Sequence, residues 1–114
     1  MKFIISQKPE GAYQFSLKDE YGKNILWSPR FSSKNQCING INQLRNNISV
    51  SIEVDQWQTD SGRYLFHLRC SDGRLLAMSA PFISKHECNH TITEIRKRMS
   101  EAVEQDVTIV FEGY

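Results

Sequence analysis

The sequence is poor in the features that announce chemistry. No two of the three cysteines, Cys37, Cys70 and Cys88, stand at C-x-x-C spacing, so neither a zinc ribbon nor a thioredoxin-type redox pair is signalled. An odd and sparse set of thiols also argues against a secreted disulfide scaffold and points to a reducing, cytoplasmic setting. Cys37 and Cys88 fall on apolar helix faces, where a free thiol acts as a small hydrophobe. No apolar run approaches the roughly 20 residues of a membrane span, and the apolar stretch at Phe3–Ile5 is too short for a secretory signal. With 14 Lys and Arg against 13 Asp and Glu, the net charge is only +1. No strong overall field is available to gather nucleic acid or an anionic membrane. Only six glycines are present, and no G-x-G-x-x-G, P-loop or G-x-S-x-G string occurs, which removes the usual nucleotide-binding and nucleophile-elbow signatures. What is left is ordinary globular composition, 39% hydrophobic and 24% charged over 114 residues, enough chain for one core.

The chain does contain a repeat. A shift of 51 positions aligns Gly11 with Gly62, Tyr13 with Tyr64, Phe15 with Phe66 and Leu17 with Leu68. It also aligns Gly22 with Gly73, Ser28 with Ser79, Phe31 with Phe82, Ser33 with Ser84 and Lys34 with Lys85. Cys37 then meets Cys88, Ile41 meets Ile92 and Arg45 meets Arg96. Two units this small bury little separately. The expectation is a single pseudo-twofold domain over 1–114, with repeat 1 at about 1–52 and repeat 2 at about 53–114.

Each copy reads as strands followed by a helix. Tyr13-x-Phe15-x-Leu17 and Tyr64-x-Phe66-x-Leu68 alternate apolar and polar residues, the mark of half-buried strands. The turns Asp19–Gly22 and Ser71–Gly73 supply the glycine a tight hairpin needs. Return strands are expected at Asn24–Ser28 and Leu75–Ser79, with Ile25 and Trp27, and Leu76 and Met78, on matching faces. Pro29 and Pro81 end them. Ser33-x-x-Gln36 and Ser84-x-x-Glu87 are capping boxes. Behind them, Cys37, Ile41, Leu44 and Ile48, and Cys88, Ile92, Ile95 and Met99, form one apolar stripe per helix. The second helix is expected to reach about Ala102, with further strands at Ser51–Trp57 and Val107–Phe111. The fold class is therefore α+β, a tandem repeat of two β(3)-α units sharing one antiparallel sheet with both helices on one face.

The string Tyr13-x-Phe15-x-Leu17-Lys18, Gly22, Ser28-x-x-Phe31-x-Ser33-Lys34, Gly40-Ile41 resembles the YegP-like family of small, mostly bacterial proteins of unknown function. Tyr64-x-Phe66-x-Leu68-Arg69, Ser84-Lys85 and Ile92 repeat the resemblance from about Phe3 to Arg98. The family's Asn-Gly hairpin becomes Tyr21-Gly22 and Asp72-Gly73, and its Gly-Ile pair becomes Thr91-Ile92 in the second copy. The resemblance implies that the two units exchange their last strands, Ser51–Val54 and Val107–Phe111. It also implies that a tandem member achieves within one chain, as a monomer, what single-copy members achieve as dimers. It carries no activity, substrate, cofactor or catalytic residue.

His86-Glu87-Cys88-Asn89-His90 matches H-E-x-x-H, the zinc-hydrolase pattern. Against that reading, Glu87 serves the helix cap, and the first helical turn is a poor frame for ligands. A third ligand would have to be His67 or a downstream acid such as Glu112. The first copy carries Asn35-Gln36-Cys37-Ile38-Asn39 at the same place, with no ligand set. Glu94, Glu101, Glu104 and Asp106 follow helical spacing and read as a solvated face. Residues 1–50 carry seven Lys and Arg and three Asp and Glu, while residues 51–114 carry seven and ten. Arg96-Lys97-Arg98 is the one basic run, and it complements a helix C-terminus. Nucleic-acid binding is the second reading, through aromatic and basic residues on a sheet. The leading one follows from layer geometry. With both helices on one face, the other is open and carries Gln14, Ser16, Lys18, Leu65, His67 and Arg69. Ser16, Lys18, His67 and Arg69 are the candidate binding residues of a non-catalytic interaction domain. Its expected partner is an acidic protein, peptide or other small ligand, with no metal and no cofactor.

Overall fold

The computed structural model describes residues 1–48, 51–101 and 103–106. Each copy opens with two hairpins. In the first copy β1 (Lys2–Gln7), β2 (Tyr13–Lys18) and β3 (Asn24–Trp27) are followed by α1 (Lys34–Asn47). In the second, β4 (Glu53–Gln58), β5 (Tyr64–Arg69) and β6 (Leu75–Ser79) are followed by α2 (Lys85–Arg98), a 3-10 turn at Met99–Glu101 and β7 (Val103–Asp106). The β2–β3 turn is set by Asp19, whose carboxylate accepts the N–H groups of Tyr21 and Lys23 at 2.9 and 3.0 Å. Gly22 then takes φ +80°, a value that strains any residue with a Cβ. Gly73 repeats this at +89°.

One seven-stranded sheet results, in the order β4-β5-β6-β3-β2-β1-β7. The two copies meet at its centre, where β3 pairs antiparallel with β6 through Leu26–Ser79 and Trp27–Met78. Trp27 and Met78 are the same position in the two copies, so an approximate twofold axis passes between them. Six strands are mutually antiparallel, as expected. The seventh departs from the pattern, since β7 lies parallel to β1, from Lys2–Val103 to Ile5–Asp106. The exchange is thus visible on one flank, where the segment after α2 joins the first copy. The segment after α1 continues as β4, the second copy's own first strand. Parallel pairing requires a long crossover, here everything from β2 through α2, and nothing local in the sequence encodes it.

Both helices lie on one face. They bury Cys37, Ile41 and Leu44 from α1, and Cys88 and Ile95 from α2, against Phe3, Ile5, Phe15, Leu17, Phe66 and Leu68. Ser33 and Ser84 cap them, accepting the Gln36 and Glu87 N–H groups at 3.2 and 3.1 Å. The reciprocal half of the expected capping box differs. Gln36 Oε1 accepts from Ser32, one residue before the cap. The Glu87 carboxylate instead faces Lys23 Nζ at 3.9 Å. After each return strand the chain bridges back to β2 or β5, Tyr13 to Phe31 and Tyr64 to Phe82. This stacks Phe31 on Phe15 and Phe82 on Phe66, with centroids 6.3 and 6.2 Å apart.

Three further expectations are corrected. α2 stops at Arg98, so Glu104 and Asp106 belong to a strand and not to a helical face. The strand after the helix begins at Val103, while Val107–Phe111 falls outside the described residues. Finally, the β2–β3 register slips between Leu17 and Lys18, and the β5–β6 register between Leu68 and Arg69. The extra residue of each bulge, Ile25 or Leu76, turns inward beside Leu26 or Ala77, and all four are buried. Trp27 and Met78 therefore emerge on the opposite face from Ile25 and Leu76, where a strict period of two had kept each pair together.

Candidate functional site

The sheet face away from the helices is organised by this register. Cross-strand partners share a face, and one row runs over the six antiparallel strands. It reads Asp55–His67–Met78–Trp27–Ser16–Ile4. The four candidate residues do occupy this face, but not as one cluster. Ser16 and Lys18 lie on β2, His67 and Arg69 on β5, and two strands intervene, a separation of about 14 Å at ~4.8 Å per strand. Between them stand Trp27 and Met78, both half-buried. The face that sequence reasoning read as polar has an apolar centre. The missed signal is the residue after each bulge, whose orientation depends on a register slip.

The two flanks differ in chemistry. In the first copy, a depression of about 160 Å³ is bordered by Gln14, Ser16, Lys18, Asn24 and Trp27. Gln14 Nε2 donates to Ser28 O at 2.8 Å, and Lys18 Nζ donates to Gly22 O at 3.4 Å. Asn24 Oδ1 is buried and has no hydrogen-bond partner among the described residues. A buried acceptor left in that state costs about 1–3 kcal/mol. In the second copy, Trp57 stands edge-on to His67 with centroids 4.6 Å apart and is 40% exposed. Arg69 donates through Nε to Asp55 Oδ2 at 2.9 Å and through Nη1 to Gly73 O at 3.0 Å, and its Nη2 lies 3.4 Å from His67 Nδ1. Burial first, and the Arg69 guanidinium second, hold His67 below its ordinary value of 6.5, with Asp55 opposing them. The carboxylate thus orients the arginine, not the imidazole, and His67 lacks the partner that would make it an effective base. Leu65 sits beside this group as the cross-strand partner of Trp57.

His86 and His90 are both exposed on the first turns of α2. Glu87 turns to Lys23, and among the described residues no three His, Cys, Asp or Glu side chains converge to hold a metal ion. Cys88 is buried, and that burial pushes its thiol above the ordinary 9.0, with a Gln56 hydrogen bond opposing and Glu87 adding to the rise. A raised thiol pKa lowers the thiolate population that nucleophilic chemistry needs.

Comparisons with known proteins agree with this fold. Residues 10–50 match the model of a domain of unknown function, DUF1508. A UPF0339 protein of Acinetobacter baylyi is 25% identical over 106 residues, covering 93% of this chain and 96% of the relative. The UPF0339 protein in the ptx operon 5′ region of Stutzerimonas stutzeri is 21% identical over 100 residues, covering 88% of this chain and 90% of the relative. Among solved structures, the protein of unknown function yegP from E. coli superposes with a TM-score of 0.82 at 21% identity, covering 96% of this chain and 94% of that one. A UPF0339 protein from Shewanella oneidensis gives 0.86 at 19% identity, covering 94% and 91%. The duplicated motif, the domain match and these relatives support the resemblance to the YegP-like family of unknown function, and the solved structures show the same fold.

Proposed function

We propose that the protein is a non-catalytic binding module that takes an acidic peptide segment on its helix-free sheet face. The observation that carries the reading is the first-copy depression, where the Lys18 ammonium lies beside the half-buried Trp27 ring. A peptide offers what each asks for: a carboxylate for Lys18 and an apolar side chain for Trp27. Ser16 borders the same depression. His67 and Arg69 flank the far side of the Trp27–Met78 centre, where Asp55 pairs with the Arg69 guanidinium, so the positive charge offered to an acidic segment comes from Lys18 on the first copy. No helix among the described residues is long and apolar enough to cross a membrane. The three free thiols suit a cytoplasmic protein, and the chain acts as a monomer.

An array of acidic peptides, probed with the wild type and with Lys18→Gln and Trp27→Ala, tests the reading. Retention of a subset by the wild type and its loss in both variants is expected. Retention of no peptide above Lys-rich controls, or an unchanged subset in both variants, removes it. Labelled single-stranded DNA and RNA at low salt distinguish the alternative: a shift abolished by Trp27→Ala and by added salt would assign the same face to nucleic acid.

A further inference from the structure

A second site lies on the other side of the sheet, where the first copy's helix overhangs the second copy's hairpin. A cavity of about 410 Å³ opens there between α1 and the start of β6. Its floor is apolar, formed by Phe31, Leu75, Leu76 and the bare backbone of Gly40. Gly40 is required by the ring beside it, since a Cβ there would fall 2.8 Å from Phe31 Cζ. The rim is polar and, among the described residues, carries no acid. Gln36 and Gln43 offer amides, and Arg74 offers a guanidinium. Gln36 Oε1 already accepts from Ser32, which leaves its NH2 as the donor end. Arg74 gives one N–H to Cys70 Sγ at 3.5 Å, a weak acceptor, out of the five donors such a group has.

The duplication supplies an internal control. At the equivalent place in the second copy, Thr91 stands for Gly40, Glu87 for Gln36 and Lys23 for Arg74. The Lys23 ammonium lies 5.9 Å over the Phe82 ring and 3.9 Å from Glu87, across the position that is open in the first copy. Phe82 is 2% exposed, whereas Phe31 is half-buried. What remains there is a smaller cavity of about 150 Å³ with Glu94 and Glu20 on its wall. One fold thus yields an open, acid-free cavity in one half and a filled, acidic one in the other.

We infer that the cavity under α1 binds a small organic anion, an apolar body ending in a carboxylate. The body lies against Phe31, Leu75 and Leu76, and the carboxylate meets Arg74 with the Gln36 amide as a further donor. Size and lining fit small-molecule sites, which are mainly apolar with a few convergent polar groups, and a guanidinium matches a carboxylate in two parallel hydrogen bonds. This site is separate from the open sheet face, so either reading can fail without the other.

Octanoate, titrated into the isotopically labelled protein and followed by amide NMR shifts, tests the inference, with octylamine as the cation of the same tail. Saturable shifts at Gly40, Gln43, Leu75 and Leu76 with octanoate, and none with octylamine, are expected. Arg74→Gln is expected to weaken octanoate by about tenfold, the loss of one charge-assisted pair. Gly40→Thr, which writes the second copy's residue into the first, is expected to abolish binding, and Lys23→Gln to leave it unchanged. If Gly40→Thr does not fold, Arg74→Gln decides alone. Absence of saturable shifts, shifts on the open sheet face, equal response to octylamine, or unaltered affinity in Arg74→Gln overturns the assignment.

Discussion

Ser28 and Ser79 are the buried polar side chains of the sheet, and each closes a gap in its ladder. The Ser28 hydroxyl accepts the Phe15 N–H at 3.0 Å and donates to Pro29 O, while Ser79 does the same for Phe66 at 2.9 Å and for Ala80 O at 2.8 Å. Removing either hydroxyl strands a buried N–H. Ser28→Ala and Ser79→Ala are each expected to cost about 1–3 kcal/mol, read as a lower denaturant midpoint with an unchanged slope. His67 makes a second test at this scale. Its pKa is lowered in the folded protein, so the unfolded chain binds the proton more readily. The contribution to stability is full above the unfolded value of 6.5, and it is lost as pH falls through the folded pKa. An NMR titration should place the His67 midpoint below 6.5. Arg69→Gln should raise that midpoint, and Asp55→Asn should lower it, because the two charges act in opposite directions. The pairing of these serines across copies was visible in the sequence, but their task was not. A hydroxyl's partner is fixed by the end of a strand, which residue identity does not specify.

At the level of elements, the parts governed by near neighbours in the chain were legible. Alternation placed β2 and β5, and the Ser caps placed the starts of α1 and α2. Loss of a cap by Ser33→Ala or Ser84→Ala is expected to cost about 1 kcal/mol each, measured by thermal or chemical unfolding. What stayed hidden was set by pairing between elements. The bulges at Ile25 and Leu76 exist because two strands slip past one another, and they alone decide that Trp27 and Met78 join the open face. The candidate residues Ser16, Lys18, His67 and Arg69 were placed on the correct face by simple alternation. Their division into two flanks required the strand order. The departure of Thr91 from Gly40 was legible as a difference, yet its meaning depended on seeing Phe31 against the α1 backbone.

For the whole molecule, the decisive fact is that one continuous group of buried side chains draws on both copies, from Phe3 and Leu44 to Phe66 and Met99. Neither half holds a complete set. Unfolding is therefore expected as a single transition by circular dichroism and by tryptophan fluorescence, with Ser28→Ala and Ser79→Ala each shifting that same transition. Two separable transitions, one sensitive to each variant, would contradict this. Light scattering should give a mass near 13.2 kDa, since each copy already has the other as its mate. The resemblance implied an exchanged last strand, but its parallel seating on β1 was not legible, because the two strands are separated by nearly the full length of the chain. The meeting of Trp27 with Met78 has a consequence for how such a gene ages. Once a coding segment has doubled, most sites in one half are released to drift without regard to the other. Here the two equivalent positions are cross-strand partners, so a substitution in either alters the surroundings of its own counterpart.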